Sequence, residues 1–279
     1  MGLCYVLGND AAIQIAVSIA GSVEEFANLM NKKAQDLGLN NTHFVTPHGL
    51  DEKEHYTTAY ELAIIADYAL NIDKIAQVIR TREYIVNINN NSKTIRNTNE
   101  LLGYLNGVNG VKTGFTNGAG RCLVTSVNRN NFNIITVVLG ADTKKIRTKD
   151  SINLIEYIYS NYELVDLKKI VKEEFYNWSK INKNRIHVYK GVSNNVHIEL
   201  GECKYNVYPI KKDRIKDVEV QINNFETYLE APINKGMKIG DVVLKVGDEE
   251  VTNIKIIINE SIERKGIKEY MLELLNGVI

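Results

Sequence analysis

Residues 107–124 read GVNGVKTGFTNGAGRCLV. A Lys-Thr-Gly triplet, Lys112, Thr113 and Gly114, lies between glycine-rich segments and runs straight into an apolar, β-branched stretch. A lysine at the end of an edge strand, followed by threonine, can present an ammonium and a hydroxyl to one small oxyanion, and the glycine lets a ligand backbone come close. The pattern predicts strands over residues 110–113, 121–128 and 133–140, with NRNN closing the last two into an antiparallel hairpin. A lone Lys-Thr-Gly fits many surface turns, so its meaning depends on what surrounds it.

Upstream the chain is helical. Ala12, Ile13, Ala16, Val17, Ile19 and Ala20 recur at helical spacing and Gly21 marks the stop. Ser22 with Glu25 forms a capping-box pattern for a second helix ending near residues 37–38, and Thr58 with Glu61 opens another before AYELAIIADYAL. A shorter helix follows over residues 72–80, and TREYIVNINNNSKTIRNTN reads as a hairpin with an asparagine-rich turn. Downstream, Ile152, Ile155, Ile158 and Tyr159 make a helical stripe.

Near Val165 the composition changes. VEVQI, DVVLKV and NIKIIIN alternate at strand period between glycine, asparagine and lysine turns, with no long helical period, which predicts a small all-β domain over residues 165–262. The tail, residues 263–279, places Ile267, Tyr270, Met271, Leu274 and Leu275 on one helical face. Such a helix either packs on its own domain or lies at a membrane surface, where Lys265 and Lys268 supply the nearby positive charge.

Composition narrows the function classes. At 279 residues and 44% hydrophobic, the chain has room for two ordinary domains and a sizeable core. Lys+Arg and Asp+Glu both number 34, so the whole chain lacks the basic footprint of a nucleic-acid binder. No apolar run reaches the length of a membrane-spanning helix, and residues 1–8 are too short for a signal peptide. Cys4, Cys122 and Cys203 are odd in number and far apart, which fits neither a disulfide framework nor a zinc site. His43, His48 and His55 share a loop with TPHGL and are read as structural rather than metal-ligating.

Four stretches in order, GNDAAIQIAVSIAGS, LMNKKAQDLGLNNTHFVTPHGLDEKEHYTTAYELAIIADYAL, NTNELLGYLNGVNGVKTGFTNGAGRCLV and VVLGADTKKIRTKDSINLIEYIY, resemble the low-molecular-weight penicillin-binding proteins of the serine-type D-alanyl-D-alanine carboxypeptidase kind. The resemblance implies a mixed α/β (α+β) transpeptidase-like domain of the penicillin-binding-protein and β-lactamase type over residues 1–164, followed by the β domain and the tail. It implies an acyl-enzyme reaction on peptidoglycan stem peptides ending in D-Ala-D-Ala, outside the cytoplasmic membrane, with β-lactams as ligands of a complete site and with neither metal nor organic cofactor. The appended β domain and TPHGLDEKEHYTT favour the carboxypeptidase branch over a β-lactamase.

The family works through Ser-x-x-Lys, Ser-x-Asn and Lys-Thr-Gly. The resemblance gives Lys112 the positive field and proton network, Thr113 and Gly114 the substrate carboxylate and backbone, and Arg147 in KKIRTKD a second hold on that carboxylate through its guanidinium fork. Asn9 keeps the asparagine of the second motif, but Leu7 stands in its serine position and can neither accept nor donate a proton. None of the nine serines has a lysine three residues on, so the first motif is missing. The expectation is therefore a transpeptidase-like domain incomplete at its N-terminus and inactive alone, the C-terminal portion of a longer enzyme; the alternative is a degenerate relative that binds D-Ala peptides or a wall partner without cutting them. Cys122 has no base or positive field legible beside it and is a poor replacement nucleophile.

Overall fold

Glycine and hydroxyl caps set the helix boundaries in this computed structural model, which describes residues 8–88 and 91–277. The chain divides into two compact units, Met1–Ser160 and Asn161–Ile279. In the first, helix α1 (Asn9–Ala20) stops at Gly21, whose φ of +84° suits a residue without Cβ. Helix α2 (Val23–Asp36) begins at Ser22, whose hydroxyl accepts from the Glu25 N–H at 3.1 Å. Helix α1 buries Ala12 and Ala16 while Ile13, Ile15, Val17 and Ile19 stay exposed.

Helix α3 (Ala59–Leu70) starts at Thr58, which accepts from the Glu61 N–H at 3.1 Å. Here the sequence reading needs correcting, because the Glu61 carboxylate does not close a capping box. It accepts instead from the Asn41 backbone N–H at 2.9 Å and from the Thr42 hydroxyl, tying the helix to the preceding loop. Helix α4 (Asp73–Arg80) and the antiparallel hairpin β1 (Glu83–Ile88) with β2 (Asn91–Arg96) follow as expected.

Strands β3 (Val108–Thr116), β4 (Gly120–Arg129) and β5 (Phe132–Ala141) form an antiparallel sheet in that order, with β3 at an edge. Asn130 and Asn131 turn between β4 and β5 with φ of +52° and +63°, which asparagine tolerates better than most residues. Helix α5 (Lys144–Asn161) packs Ile155 against Leu101, Leu123 and Val127, all fully buried. Each such side chain contributes about 1.5–3 kcal/mol by leaving water. A second cluster joins Ala66, Ile79 and Val111. Gly110 is needed beside it, since a Cβ there would lie 2.5 Å from Ile79 Cγ2.

The second unit carries strands β6 (Tyr162–Asp166), β7 (His187–Tyr189), β8 (Ile198–Leu200), β9 (Val207–Lys211), β10 (Val218–Asn223), β11 (Tyr228–Glu230), β12 (Lys238–Val246) and β13 (Glu249–Ile258). Four of them pair in the order β10-β12-β13-β8, with β6 and β9 antiparallel and β7 and β11 parallel beside them. Leu244, Ile254, Ile256 and Ile258 are its fully buried centre.

The unit is not wholly β, however. Helix α6 (Leu167–Asn182) caps it, burying Leu167 and Val171 and stacking Trp178 edge-on to Phe225 at 4.4 Å. Leu167, Ile170, Val171, Phe175 and Trp178 among its apolar residues do keep helical spacing. Lysines and glutamates between them blur that period in the linear sequence, and a strand-rich stretch follows. The tail forms helix α7 (Ile267–Asn276), on which Ile267, Met271, Leu274 and Leu275 are exposed.

Candidate active site

Strand β3 carries the triplet along the open edge of its sheet. Alternation of side chains directs Lys112 and Gly114 to one face and Thr113 to the other. The Lys112 ammonium donates to the Thr113 carbonyl, while the Thr113 hydroxyl, buried, donates to Thr98 Oγ1 at 2.7 Å. Lysine and threonine therefore meet a common ligand only around the strand's free edge.

Gly114 borders a cleft of about 520 Å³ between β3 and the loop of residues 49–57, whose walls include Asp51, His55, Tyr56, Phe115 and Cys122. A Cβ on Gly114 would meet only Cys122 Cβ, at an ordinary 3.7 Å, so the fold itself does not demand glycine there. The wall is held by Asp51, which accepts from the Gly118 N–H at 3.0 Å across 67 residues. Hydrogen bonds from the Thr116 hydroxyl and the Gly118 N–H hold its carboxyl below the usual carboxylate range. Sequence reading missed this strap, since no local pattern links Asp51 to the β3–β4 turn.

The loop histidines spend their Nδ1 atoms on backbone. His55 Nδ1 accepts from Val45 N–H at 3.0 Å and Thr46 N–H at 3.3 Å, which assigns its proton to Nε2. Burial, then the neighbouring His43 and His48, push its pKa down, which favours the neutral ring. His48 Nδ1 accepts from Leu50 N–H, and His43 Nδ1 donates to the Glu54 carbonyl. Cys122 Sγ donates to the Ala119 carbonyl at 3.5 Å.

Arg147 is not a solvated surface charge and does not line the cleft beside Gly114: it is 3% exposed and donates to Glu100 Oε1 at 2.5 Å. Glu100 also accepts from the Thr148 hydroxyl. Burial raises the Glu100 carboxyl, but the bonds from Thr148 and Arg147 outweigh it and leave the pKa lowered. Arg147 Nε is buried and, among the described residues, makes no hydrogen bond. Nothing local in the sequence marks Glu100 as this partner. Asn9 opens α1 at its first turn, and Leu7 lies outside the described residues.

Against known proteins, residues 2–143 match the model of the D-alanyl-D-alanine carboxypeptidase family Peptidase S11, and residues 166–264 match that of the penicillin-binding protein 5 C-terminal domain. The D-alanyl-D-alanine carboxypeptidase DacF of Bacillus subtilis is 33% identical over 97% of this chain and 67% of its own length. DacA of Haemophilus influenzae is 33% identical over 95% of this chain and 65% of its own. The chain thus spans about two thirds of the length of these curated relatives. The crystal structure of penicillin-binding protein 5 from Haemophilus influenzae superposes with a TM-score of 0.72 at 28% identity, covering 94% of this chain and 73% of that one. With both of its units matched in order, the chain belongs to the Peptidase S11 family of D-alanyl-D-alanine carboxypeptidases and carries that family's penicillin-binding-protein-5 type C-terminal domain.

Proposed function

We propose that this chain recognises peptidoglycan stem peptides ending in D-Ala-D-Ala along the β3 edge and that the 279 residues by themselves do not cleave them. The observation that carries the second half is in the sequence: no serine stands three residues before a lysine, so no nucleophile with its activating amine is available to take the acyl group. The first half rests on family membership and on the geometry of β3. Lys112 gives positive charge, the strand edge gives backbone groups for an extended peptide, and Gly114 leaves room where the fold would accept a methyl group.

In this reading residues 1–164 form the peptide-binding domain, residues 165–262 the β domain and residues 263–279 the tail. Thr113 contributes its hydroxyl to the ligand carboxylate by exchanging Thr98 for it, and Asn9 approaches the peptide from the start of α1. Arg147 adds long-range positive charge to the same carboxylate, tempered by Glu100. Adding an acylatable serine and its lysine to this site would give the complete carboxypeptidase reaction: serine attacks the penultimate D-alanine carbonyl, terminal D-alanine leaves, and water hydrolyses the ester. β-Lactams would acylate only that completed site. The exposed apolar face of α7 supports a peripheral contact with the outer face of the membrane, although Lys265 is already engaged by Glu273.

The test is to incubate pure, folded chain with a D-Ala-D-Ala pentapeptide and with benzylpenicillin. Saturable peptide binding that weakens in Lys112→Ala, with neither D-alanine release nor a covalent adduct, is the expected result. Release of D-alanine or a penicilloyl adduct would overturn it.

A further inference from the structure

A second cavity, of about 630 Å³, opens in the C-terminal unit between α6 and the β8 edge. Its floor is apolar, with Val171 and Ile254 each 1% exposed. Around that floor stand four charges of both signs: Lys168 and Lys172 one turn apart on α6, Glu199 on β8 and Glu202 in the loop that follows. Among the described residues none of the four forms an ion pair, although all border the same cavity.

The contrast on α6 itself is informative. Lys169 and Glu173 pair along the helix at 4.0 Å, whereas Lys168 and Lys172 set two like charges at the same spacing on the cavity side. Like charges four apart weaken a helix. The wall opposite is fixed in place: the Gly201 N–H donates to the Lys255 carbonyl at 2.8 Å, the Lys168 N–H to the Asn206 carbonyl at 3.2 Å, and Cys203 Sγ to the Tyr205 carbonyl at 2.9 Å. Anion and cation walls are thus held apart over an apolar base, in a volume within the usual span of small-ligand sites.

From this arrangement we infer a binding site for a short zwitterionic peptide, its carboxylate on Lys168 and Lys172, its ammonium on Glu199 and Glu202, and an aliphatic side chain on Val171 and Ile254. A phosphate or other bare anion would face the two glutamates, and a polycation the two lysines. The site shares no residue with the β3 cleft and stands whether or not the proposed function does. A free oligopeptide and an uncrosslinked stem peptide of the wall offer the same chemistry.

The experiment uses the whole 279-residue chain carrying Lys112→Ala, so that the β3 contribution is weakened, titrated calorimetrically with tri-L-alanine and, in parallel, with L-Ala-γ-D-Glu-L-Lys-D-Ala-D-Ala. Saturable binding is expected, weaker by at least about tenfold in Lys168→Glu/Lys172→Glu and for N-acetylated, C-amidated tri-L-alanine. It should also fall as salt is raised to about 1 M. Tighter binding of the pentapeptide assigns the site to wall peptide; equal or tighter binding of tri-L-alanine assigns it to free oligopeptides. Both lysines are exposed, and an unchanged thermal transition verifies the fold of the double variant; Glu202→Gln, a milder change, should weaken the free-amine peptide while leaving the acetylated one alone. No saturable binding of either peptide, equal affinity for the capped form, or indifference to the lysine reversal would overturn the inference. Wild-type binding abolished by Lys112→Ala but kept in the lysine reversal would also overturn it and leave the β3 reading standing.

Discussion

Arg147 and Glu100, 47 residues apart, form an ion pair in which Nη2 meets Oε1 at 2.5 Å, the arginine buried and the glutamate half-buried. Removing the arginine leaves the half-buried Glu100 without its direct charged partner, reached by water and by Lys144 at 4.0 Å. Arg147→Ala should lower stability by about 1–3 kcal/mol, read from denaturant unfolding. A loss below about 1 kcal/mol would show that the pair is not closed in solution, leaving the guanidinium free for a ligand carboxylate.

Gly114→Ala separates folding from binding. Since the added methyl meets only Cys122 Cβ at 3.7 Å, stability should change by less than about 0.5 kcal/mol, while affinity for a D-Ala-D-Ala peptide falls by about tenfold or more. Unchanged affinity would remove Gly114 from the peptide path.

Gly110→Ala should behave in the opposite way. Its Cβ would sit 2.5 Å from Ile79 Cγ2 in the buried core, and overpacking of this kind costs about 1–3 kcal/mol. Ile79→Leu removes that branch methyl, so the double variant should be more stable than the sum of the two single losses. Strict additivity in the cycle would place the strain elsewhere.

Glu61 governs acid stability. Burial pushes its carboxyl up, but bonds from the Thr42 hydroxyl and the Asn41 backbone and side chain bring the folded pKa below the usual glutamate range. A depressed folded pKa gives stability that is complete above the unfolded pKa and lost as pH falls through the folded one. His55, with its folded pKa lowered from 6.5, adds a limb of the same sign that begins below that value. Glu61→Gln should lower the melting temperature at neutral pH and flatten the acid limb of the thermal melts below the usual glutamate range.

How much the sequence revealed depends on how local the cause was. Gly21, Ser22, Thr58 and the Asn130–Asn131 turn act within a few residues, and the helices and the β4–β5 hairpin they bound were legible. Lys112, Thr113 and Gly114 were legible as a motif and Lys112 and Thr113 as part of a strand, whereas the place of that strand at the sheet edge is set by the pairing order of the three strands. The diversion of Glu61 from its cap to Asn41 and Thr42, the Asp51 strap to Gly118 and the Glu100 partner of Arg147 are contacts across 19 to 67 residues, and a single chain read in order carries no mark of them. Helix α6 is hard to read for another reason: its apolar positions are interleaved with nearly as many charged ones, and only packing against the strands that follow reveals which face is buried.

The most direct test of the account is a proton NMR titration of the D-Ala-D-Ala pentapeptide with the full chain, which reports binding and turnover in the same tube. Saturable broadening of the terminal alanine methyl signals, reduced by Lys112→Ala and without any free D-alanine signal over hours, is the expected outcome. Accumulating free D-alanine would mean that these 279 residues hold a competent nucleophile, and sharp, unshifted methyl signals at saturating protein would mean that the β3 edge does not receive the peptide.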